Sequence, residues 1–206
     1  AEEGYSISFC DNGFKESDPS PLEPNGQDIV PHLLLTAVYY DTWGENEFFT
    51  VHNPGTQAID ISFWHFTDGE GVVAFPAETI IFGNQSLTIA QNASNYQSAT
   101  LQVPDFEYFN LSDAKDMLVL DYEPTLANEG DELFLLNQYR RQIDAFIYGD
   151  STYDAGGWDS EPTEDLRQGR IAKRFDHQDT NTSADWLTPR PHVIGQSDFQ
   201  TQIFQT

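Results

Sequence analysis

Short apolar runs of alternating character, each ended by turn residues, constrain the fold of this chain more than any other feature. Phe49 and Val51 alternate with Thr50 and His52, and the run stops at Asn53-Pro54-Gly55. A period of two within short runs is typical of strands with one buried face. Strands at this spacing, with turns between them and no helical period, indicate a β-sandwich or β-barrel. The sequence therefore predicts an all-β fold.

The same pattern locates the individual elements. Strands are predicted at 33–40, 47–52, 58–67, 72–75, 80–82, 86–90, 132–136, 142–148 and 171–175. Residues 137–140 are predicted to turn a hairpin, and a helix is predicted only at 111–117, where Ser112 could cap it. Alternating residues are expected to line the inner faces of two packed sheets, namely Phe49, Val51, Ile61, Leu133, Leu135, Ile143 and Ile147.

Composition shifts along the chain suggest its organisation. Residues 1–31 contain several prolines and are predicted to form an N-terminal arm, in which alternation from Tyr5 to Phe9 favours a short edge strand. Residues 32–192 are predicted to form the sandwich, which a long irregular insertion at 91–125 interrupts. Residues 193–206 are expected to be a linker toward a possible following domain.

The charge of the chain bears on its partners. Its 34 acidic and 9 basic residues give a net charge of −25. A phosphate backbone would be repelled, since nucleic-acid affinity depends largely on Lys and Arg, so nucleic acid is excluded as a partner. No apolar run approaches the roughly 18 residues of a membrane-spanning helix, so no transmembrane segment is expected. Cys10 is the sole cysteine and permits no internal disulfide.

Several segments, taken in order, resemble the lamin-tail family. They are EFFTVHNP at 47–54, DISFW at 60–64, NEGD at 128–131 and IDAFIYG at 143–149. Gly157-Trp158, Lys173-Arg174 and Asp185-Trp186 also fall where the family tends to place a Gly-Trp, an Arg and a late Trp. Phe63 stands where the family usually has a Gly, so the turn before Trp64 departs from the pattern.

The resemblance implies an immunoglobulin-like β-sandwich used for attachment or interaction. A narrower resemblance, carried by residues 68–71, 75–76, 104–107, 179–186 and 195–199, is to the N-terminal region of exported archaeal proteins. In those proteins a lamin-tail-like domain precedes a phospholipase D-like phosphodiesterase domain. The expectation is therefore a non-catalytic interaction or anchoring domain, located outside the cell or at its surface, that binds a protein or cell-surface component.

Catalytic and metal-binding motifs are sparse in the sequence. No His is followed by Lys two residues later, as a phospholipase D site requires, and no HExxH or Gly-x-Ser-x-Gly motif occurs. We therefore predict no catalytic residue and no cofactor, and phosphodiesterase activity in this segment is the weaker alternative. Asp176, Asp179 and Asn181, or the acidic residues of 159–165, could supply oxygen ligands to calcium.

Two further sets of residues bear on partners. Glycosylation sequons begin at Asn84, Asn92, Asn110 and Asn181, in keeping with an exported protein. The alternative function is a carbohydrate-binding module, which would need exposed and coplanar aromatic rings to stack on sugars. The candidates for such a platform are Trp43, Tyr153 and Trp158.

Overall fold

The structure is a computed structural model that describes residues 6–10, 13–17, 32–109, 111–112 and 114–187. Its strands, in chain order, are β1 (Ser6–Cys10), β2 (Gly13–Ser17), β3 (Leu34–Tyr39), β4 (Phe48–His52), β5 (Ile59–Asp60), β6 (His65–Thr67), β7 (Val72–Ala74), β8 (Ile80–Ile81), β9 (Ser86–Ala90), β10 (Phe106–Glu107), β11 (Leu118–Val119), β12 (Gly130–Leu136), β13 (Gln142–Gly149), β14 (Ala172–Arg174) and β15 (Trp186–Leu187). An α-helix, α1 (Ala93–Thr100), lies between β9 and β10. This confirms the all-β prediction.

The chain divides into two compact units, residues 1–31 and 32–206. In the first unit, β1 and β2 pair antiparallel, with Ser6 opposite Ser17 and Cys10 opposite Gly13. β1 overlaps the segment from Tyr5 to Phe9 where a short edge strand was predicted, and Tyr5 itself lies outside the described residues. The predicted linker at 193–206 lies outside the described residues.

The second unit is a β-sandwich. A six-stranded sheet has the order β10-β9-β4-β3-β14-β15, and a five-stranded sheet has the order β11-β7-β6-β12-β13. Aromatic rings join the two layers: Phe49 of β4 meets Phe66 of β6 at 4.4 Å, and Phe146 of β13 meets Trp186 of β15 at 4.3 Å. Because such rings bury large apolar areas, they supply much of the contact that holds the layers together.

One segment pairs with the edges of both sheets. The N–H of Glu107 in β10 donates to the Lys115 carbonyl, and the N–H of Met117 donates to the Glu107 carbonyl, at 2.9 and 2.7 Å. Immediately afterwards, Leu118 of β11 pairs with Ala74 of β7. Residues 115–118 therefore close one side of the sandwich and satisfy strand edges that would otherwise be open. The predicted irregular insertion at 91–125 contains this closure.

Most predicted inner-face residues lie in the core, with one reversal. Phe49, Val51, Ile61, Leu133 and Leu135 are fully buried, and Ile143 packs against the same core while partly buried. In the β12–β13 pair, however, Ile147 stands opposite Glu132, whereas Phe146 stands opposite the inward-facing Leu133. Paired residues project from the same face of a sheet. Ile147 is therefore buried on the outer face, and its assignment to the inner face was wrong.

The segment from Ser151 to Gly157 covers that outer face. Ser151 Oγ donates to Glu132 Oε1, and the Tyr153 ring lies 5.0 Å from the ring of Phe134. The Gly157 carbonyl accepts from Gln142 Nε2 at 3.1 Å. Because this loop covers the outer face of the sheet, both faces are buried. Alternation of apolar and polar residues therefore does not identify the inner face here.

The helix predicted at 111–117 was wrong, because the helix forms at 93–100 instead. The described residues of 111–117 are irregular, because the N–H and Oγ of Ser112 both donate to Glu107 Oε1, at 2.7 and 2.8 Å. Helix α1 forms instead from the polar segment 93–100, where Asn92 Oδ1 accepts from the Asn95 N–H at 3.1 Å. Its Tyr96 packs edge-on against Phe48 at 5.1 Å. Capping and tertiary packing thus outweigh weak intrinsic propensity.

The turn before Trp64 places a bulky residue in an unfavourable backbone conformation. Phe63 has φ +61°, in the left-handed region that disfavours a bulky side chain. Its N–H donates to the Phe75 carbonyl and the Trp64 N–H donates to the Ile61 carbonyl, both at 3.0 Å, so the surrounding structure holds the turn. Phe63 keeps this conformation although its ring is half exposed.

Replacing Phe63 with Gly should relieve this strain. The left-handed conformation costs a non-Gly residue roughly 1–2 kcal/mol, and the larger conformational freedom of Gly in the unfolded chain offsets part of the gain. We expect Phe63→Gly to raise the free energy of unfolding by about 0.5–1 kcal/mol, measured by urea denaturation. The matched control is Phe82→Gly, which removes an exposed Phe whose φ is not positive and should not stabilise. Equal destabilisation of both variants would refute the strain argument.

Candidate functional site

Polar residues of the segments 143–149, 173–174 and 185–186 converge on one buried guanidinium. Arg174 of β14 donates from Nη2 to both Asp144 oxygens, at 2.6 and 2.7 Å, and Asp144 belongs to β13 of the opposite sheet. Arg174 Nε donates to the Leu35 carbonyl at 2.7 Å. The Leu35 N–H donates to Asp144 Oδ2 at 2.6 Å. A charge-assisted pair of this kind is stronger than a hydrogen bond between neutral groups. It fastens the two sheets to each other.

Further groups complete the surroundings of Arg174. Nη1 donates to the Gln178 carbonyl at 2.8 Å and lies 3.5 Å from Asp185 Oδ2. The guanidinium carbon lies 4.8 Å from the Trp186 ring, in a cation–π contact. Burial raises the pKa of Asp144, while Arg174 and the Leu35 N–H oppose that shift. The guanidinium and the Asp144 carboxylate are thus engaged within the protein, so these contacts stabilise the fold.

A second group of carboxylates holds a chain segment rather than an ion. Three consecutive N–H groups, those of Thr125, Leu126 and Ala127, donate to Asp68 Oδ2, Glu47 Oε2 and Asp131 Oδ2 at 2.8, 3.2 and 2.8 Å. We call these three side chains, Glu47, Asp68 and Asp131, the carboxylate clamp. Three acidic residues distant in sequence thus converge because each satisfies a backbone donor.

The burial and mutual proximity of the clamp carboxylates raise the pKa values of Glu47 and Asp131. Burial raises the pKa of Glu47 to about 7, and the nearby Asp68 and Asp131 carboxylates add to that rise against the opposing hydrogen bonds. Burial likewise raises the pKa of Asp131 to about 6. Glu47 therefore changes protonation near neutral pH, where an exposed glutamate would be fully ionised.

The residues predicted to bind calcium make contacts within the protein. Asp179 Oδ1 lies 3.7 Å from Arg174 Nη1, and its Oδ2 lies 3.6 Å from His32 Nε2. The Asn181 carbonyl accepts from the Asp159 N–H at 2.7 Å, and Asp176 is exposed with φ +46°. Among the described residues, no group of three or more His, Cys, Asp or Glu side chains is arranged to hold a metal ion. Calcium binding stays a prediction without an assembled site.

The sequons differ in accessibility. Asn84 lies exposed at a turn with φ +58°, and Asn181 lies half-buried at another turn with φ +54°. Asn92 is buried and its side chain caps α1, so a sugar on its Nδ2 would disrupt the helix N-terminus. Asn110 lies outside the described residues. The geometry favours Asn84 and Asn181 as acceptors.

The candidate aromatic residues do not present a common platform. Trp158 is only 8% exposed and donates from Nε1 to the Glu161 carbonyl. Tyr153 lies against Phe134, and its hydroxyl donates to the Gly156 carbonyl at 3.0 Å. Trp43 is 51% exposed, on the loop between β3 and β4, and its ring packs on the backbone of Gly169. Of the three, Trp43 alone offers substantial aromatic surface to a ligand.

The residues that the sequence did not single out lie on the edge strand β11 and in the bend that follows it. Leu118, Leu120 and Tyr122 are 38%, 51% and 72% exposed, and we call them the β11 surface. They alternate with Met117 and Val119, which face the core. An uninterrupted apolar run within the insertion was the available signal, because a strand with one wet face should alternate with polar residues.

No helix within the described part of the chain is long and apolar enough to span a bilayer.

Removing Arg174 should strongly destabilise the protein. Arg174→Met leaves Asp144 and Asp185 buried without their cation, and loss of one partner of a buried pair typically costs 3–5 kcal/mol. We expect a loss of about 3–5 kcal/mol in the free energy of unfolding, measured by urea denaturation. The control Lys173→Met lies next to it on β14, half-buried, and should cost less than about 1 kcal/mol. Similar losses for both variants would contradict the assigned role.

Neutralising Glu47 should remove a pH-dependent penalty. Because its folded-state pKa lies above the unfolded value of 4.5, the folded protein binds the extra proton, and stability falls as pH rises from about 4.5 through about 7. We expect Glu47→Gln to exceed the wild type in stability by about 2–3 kcal/mol at pH 8, and by little at pH 5. Urea denaturation at the two pH values measures this difference.

The control for this experiment is Glu70→Gln, which removes the same charge from an exposed position. It should change stability by less than about 0.5 kcal/mol at both pH values. If Glu47→Gln gave the same difference from the wild type at pH 5 and pH 8, Glu47 would not titrate as described.

Comparisons with known proteins bear on the fold alone. No protein-family model matches the chain, and no curated protein matches it significantly. Among solved structures, the chain is similar to a DUF4876 family protein from Bacteroides thetaiotaomicron VPI-5482, with a TM-score of 0.62 and 16% identity. The match covers 92% of this chain and 79% of that one. At this identity the likeness shows a shared β-rich, sandwich-like architecture.

Proposed function

We propose that this chain is a non-catalytic interaction or anchoring domain. The observation that carries the proposal is the β11 surface, a row of large apolar side chains on the outside of the sandwich. Exposed apolar rows on an otherwise charged protein are typical of sites that bind another macromolecule. The motif residues Asp144, Arg174 and Trp186, by contrast, are engaged in holding the fold.

The setting of the domain is part of the same proposal. We place it outside the cell or at its surface, and the accessible sequons at Asn84 and Asn181 support that location. The attachment to a phospholipase D-like phosphodiesterase rests on the sequence resemblance described above. In such an arrangement the domain would hold the enzyme near its target through a protein or cell-surface component.

Carbohydrate binding is the second candidate function. The 51% exposed ring of Trp43 favours it, since an accessible indole face can stack on a sugar. The buried Trp158 does not contribute, which leaves a single ring where carbohydrate-binding platforms need coplanar rings. The interaction function is therefore the better supported of the two.

A binding experiment can separate these functions. The purified chain, immobilised, is used to capture proteins from a cell-surface fraction, and each captured protein is then purified and titrated against the chain. We expect saturable binding of a purified protein, with Trp43→Ala changing the dissociation constant less than about twofold, since its ring lies outside the β11 surface. A glycan array probed with the same two proteins is the parallel measurement.

The contradicting outcomes are distinct. Saturable glycan binding that Trp43→Ala abolishes would establish the carbohydrate function instead. Metal-dependent hydrolysis of a generic phosphodiester by the purified chain, above a no-protein blank, would overturn the non-catalytic assignment.

A further inference from the structure

The β11 surface is a fixed feature of the sandwich. Leu118 and Val119 pair with Ala74 and Val73 of β7, and the Leu120 N–H donates to the Val72 carbonyl at 2.9 Å. The Val72 N–H in turn donates to the Tyr122 carbonyl at 2.9 Å. The backbone beneath the exposed side chains is therefore ordered before any partner arrives, which reduces the entropic cost of binding.

Inward-facing and outward-facing residues alternate from Met117 to Leu120, so folding explains only the inward-facing ones. Met117 is buried and Val119 packs against the core, so their positions are explained by folding. Leu118 and Leu120 point to the other side, where a polar β-former such as Thr would serve an isolated domain equally well. Tyr122 follows two residues later and is the most exposed of the three. Folding alone does not require apolar side chains at these positions.

The charges interleaved with this surface are negative. Asp116, Asp121 and Glu123 are exposed and belong to the same stretch of chain. The ammonium group of Lys115, just before them, lies 4.8 Å from the centre of the Phe106 ring. A partner that covers the apolar row thus meets carboxylates beside it, which favours cationic side chains on that partner.

A second copy of this chain is an unsuitable occupant. Each copy carries a net charge of −25, and pairing two β11 surfaces would bring the same carboxylates together. Like charges placed across an interface cost several kcal/mol and suppress wrong partners. The charge therefore argues for a different molecule of opposite charge.

The spacing of the row indicates the partner's conformation. Leu118 and Leu120 stand two residues apart where this segment pairs with β7, a repeat of about 6.6–7 Å along a strand, and Tyr122 follows after a bend. An extended chain presents its own alternate side chains at the same interval. We propose that the β11 surface docks an extended protein segment in which Lys or Arg residues alternate with aliphatic residues. This inference rests on the proposed interaction function and assigns its site and partner chemistry.

The test uses a matched pair of fluorescent peptides on the full chain. One peptide alternates Lys with Val, and the other alternates Lys with Ser at the same length and charge. Fluorescence anisotropy in about 150 mM salt, where long-range attraction is screened, measures both affinities. We expect the Lys–Val peptide to bind about tenfold more tightly than the Lys–Ser peptide, a difference of about 1.4 kcal/mol.

Two variants test the surface itself. The triple variant Leu118→Thr, Leu120→Thr and Tyr122→Thr should abolish the preference for the Lys–Val peptide, and Thr is a good strand former that preserves β11. The control pair Ile80→Thr and Phe82→Thr removes exposed apolar residues elsewhere and should keep the full preference. If the triple variant does not fold, judged by its urea transition, Leu120→Thr alone should reduce the preference at least threefold.

The carboxylates are tested by a separate variant. Asp121→Asn with Glu123→Gln should weaken binding of both peptides and make it less dependent on salt, because screened Coulomb attraction is what these groups contribute. Equal affinity of the two peptides for the wild type, or an undiminished preference in a folded triple variant, would overturn the inference. If a purified partner from the capture experiment binds the triple variant as tightly as the wild type, the docking site is wrong while the interaction function stands.

Discussion

The buried pair between Arg174 and Asp144 is the contact on which the rest of the sandwich depends. Arg174 lies on the six-stranded sheet and Asp144 on the five-stranded sheet, and together they engage the backbone of Leu35. Such a pair tolerates little displacement, because a shift of one strand would leave a charge buried without a partner. The pair therefore specifies how the layers align, whereas the aromatic core between them supplies the bulk of the attraction.

The carboxylate clamp also satisfies buried backbone groups, and it does so with acidic side chains where Arg174 uses a cation. Residues 125–127 return the chain from its long insertion to β12, and their N–H groups have no strand partner at that point. Glu47, Asp68 and Asp131 accept from them, so three acidic residues distant in sequence serve as backbone acceptors. A strongly acidic composition thus contributes to the interior of this protein as well as to its surface.

Alternation of apolar and polar residues was sufficient to predict strands that bury one face and pair with a strand close in sequence. The hairpin of β12 and β13 and the core positions Phe49 and Val51 follow directly from it. It failed where a loop covers a sheet, as for Ile147, because both faces of the strand are then buried.

Helix α1 escaped prediction because its cap and its contact with Phe48 decide its formation, and neither has a strong local signal. The pairing of β11 with β7 escaped because it joins residues more than 40 positions apart, which no local pattern records.

The closure of the sandwich by residues 115–118 has a mechanical consequence. This stretch is hydrogen-bonded to β10 and leads into β11, which pairs with β7 of the other sheet. A pull applied to a molecule attached at Leu118 would be divided between bonds to both layers, so that neither sheet could be peeled away strand by strand without loading the other. A tether placed there resists extraction better than one on a free edge, where bonds break singly.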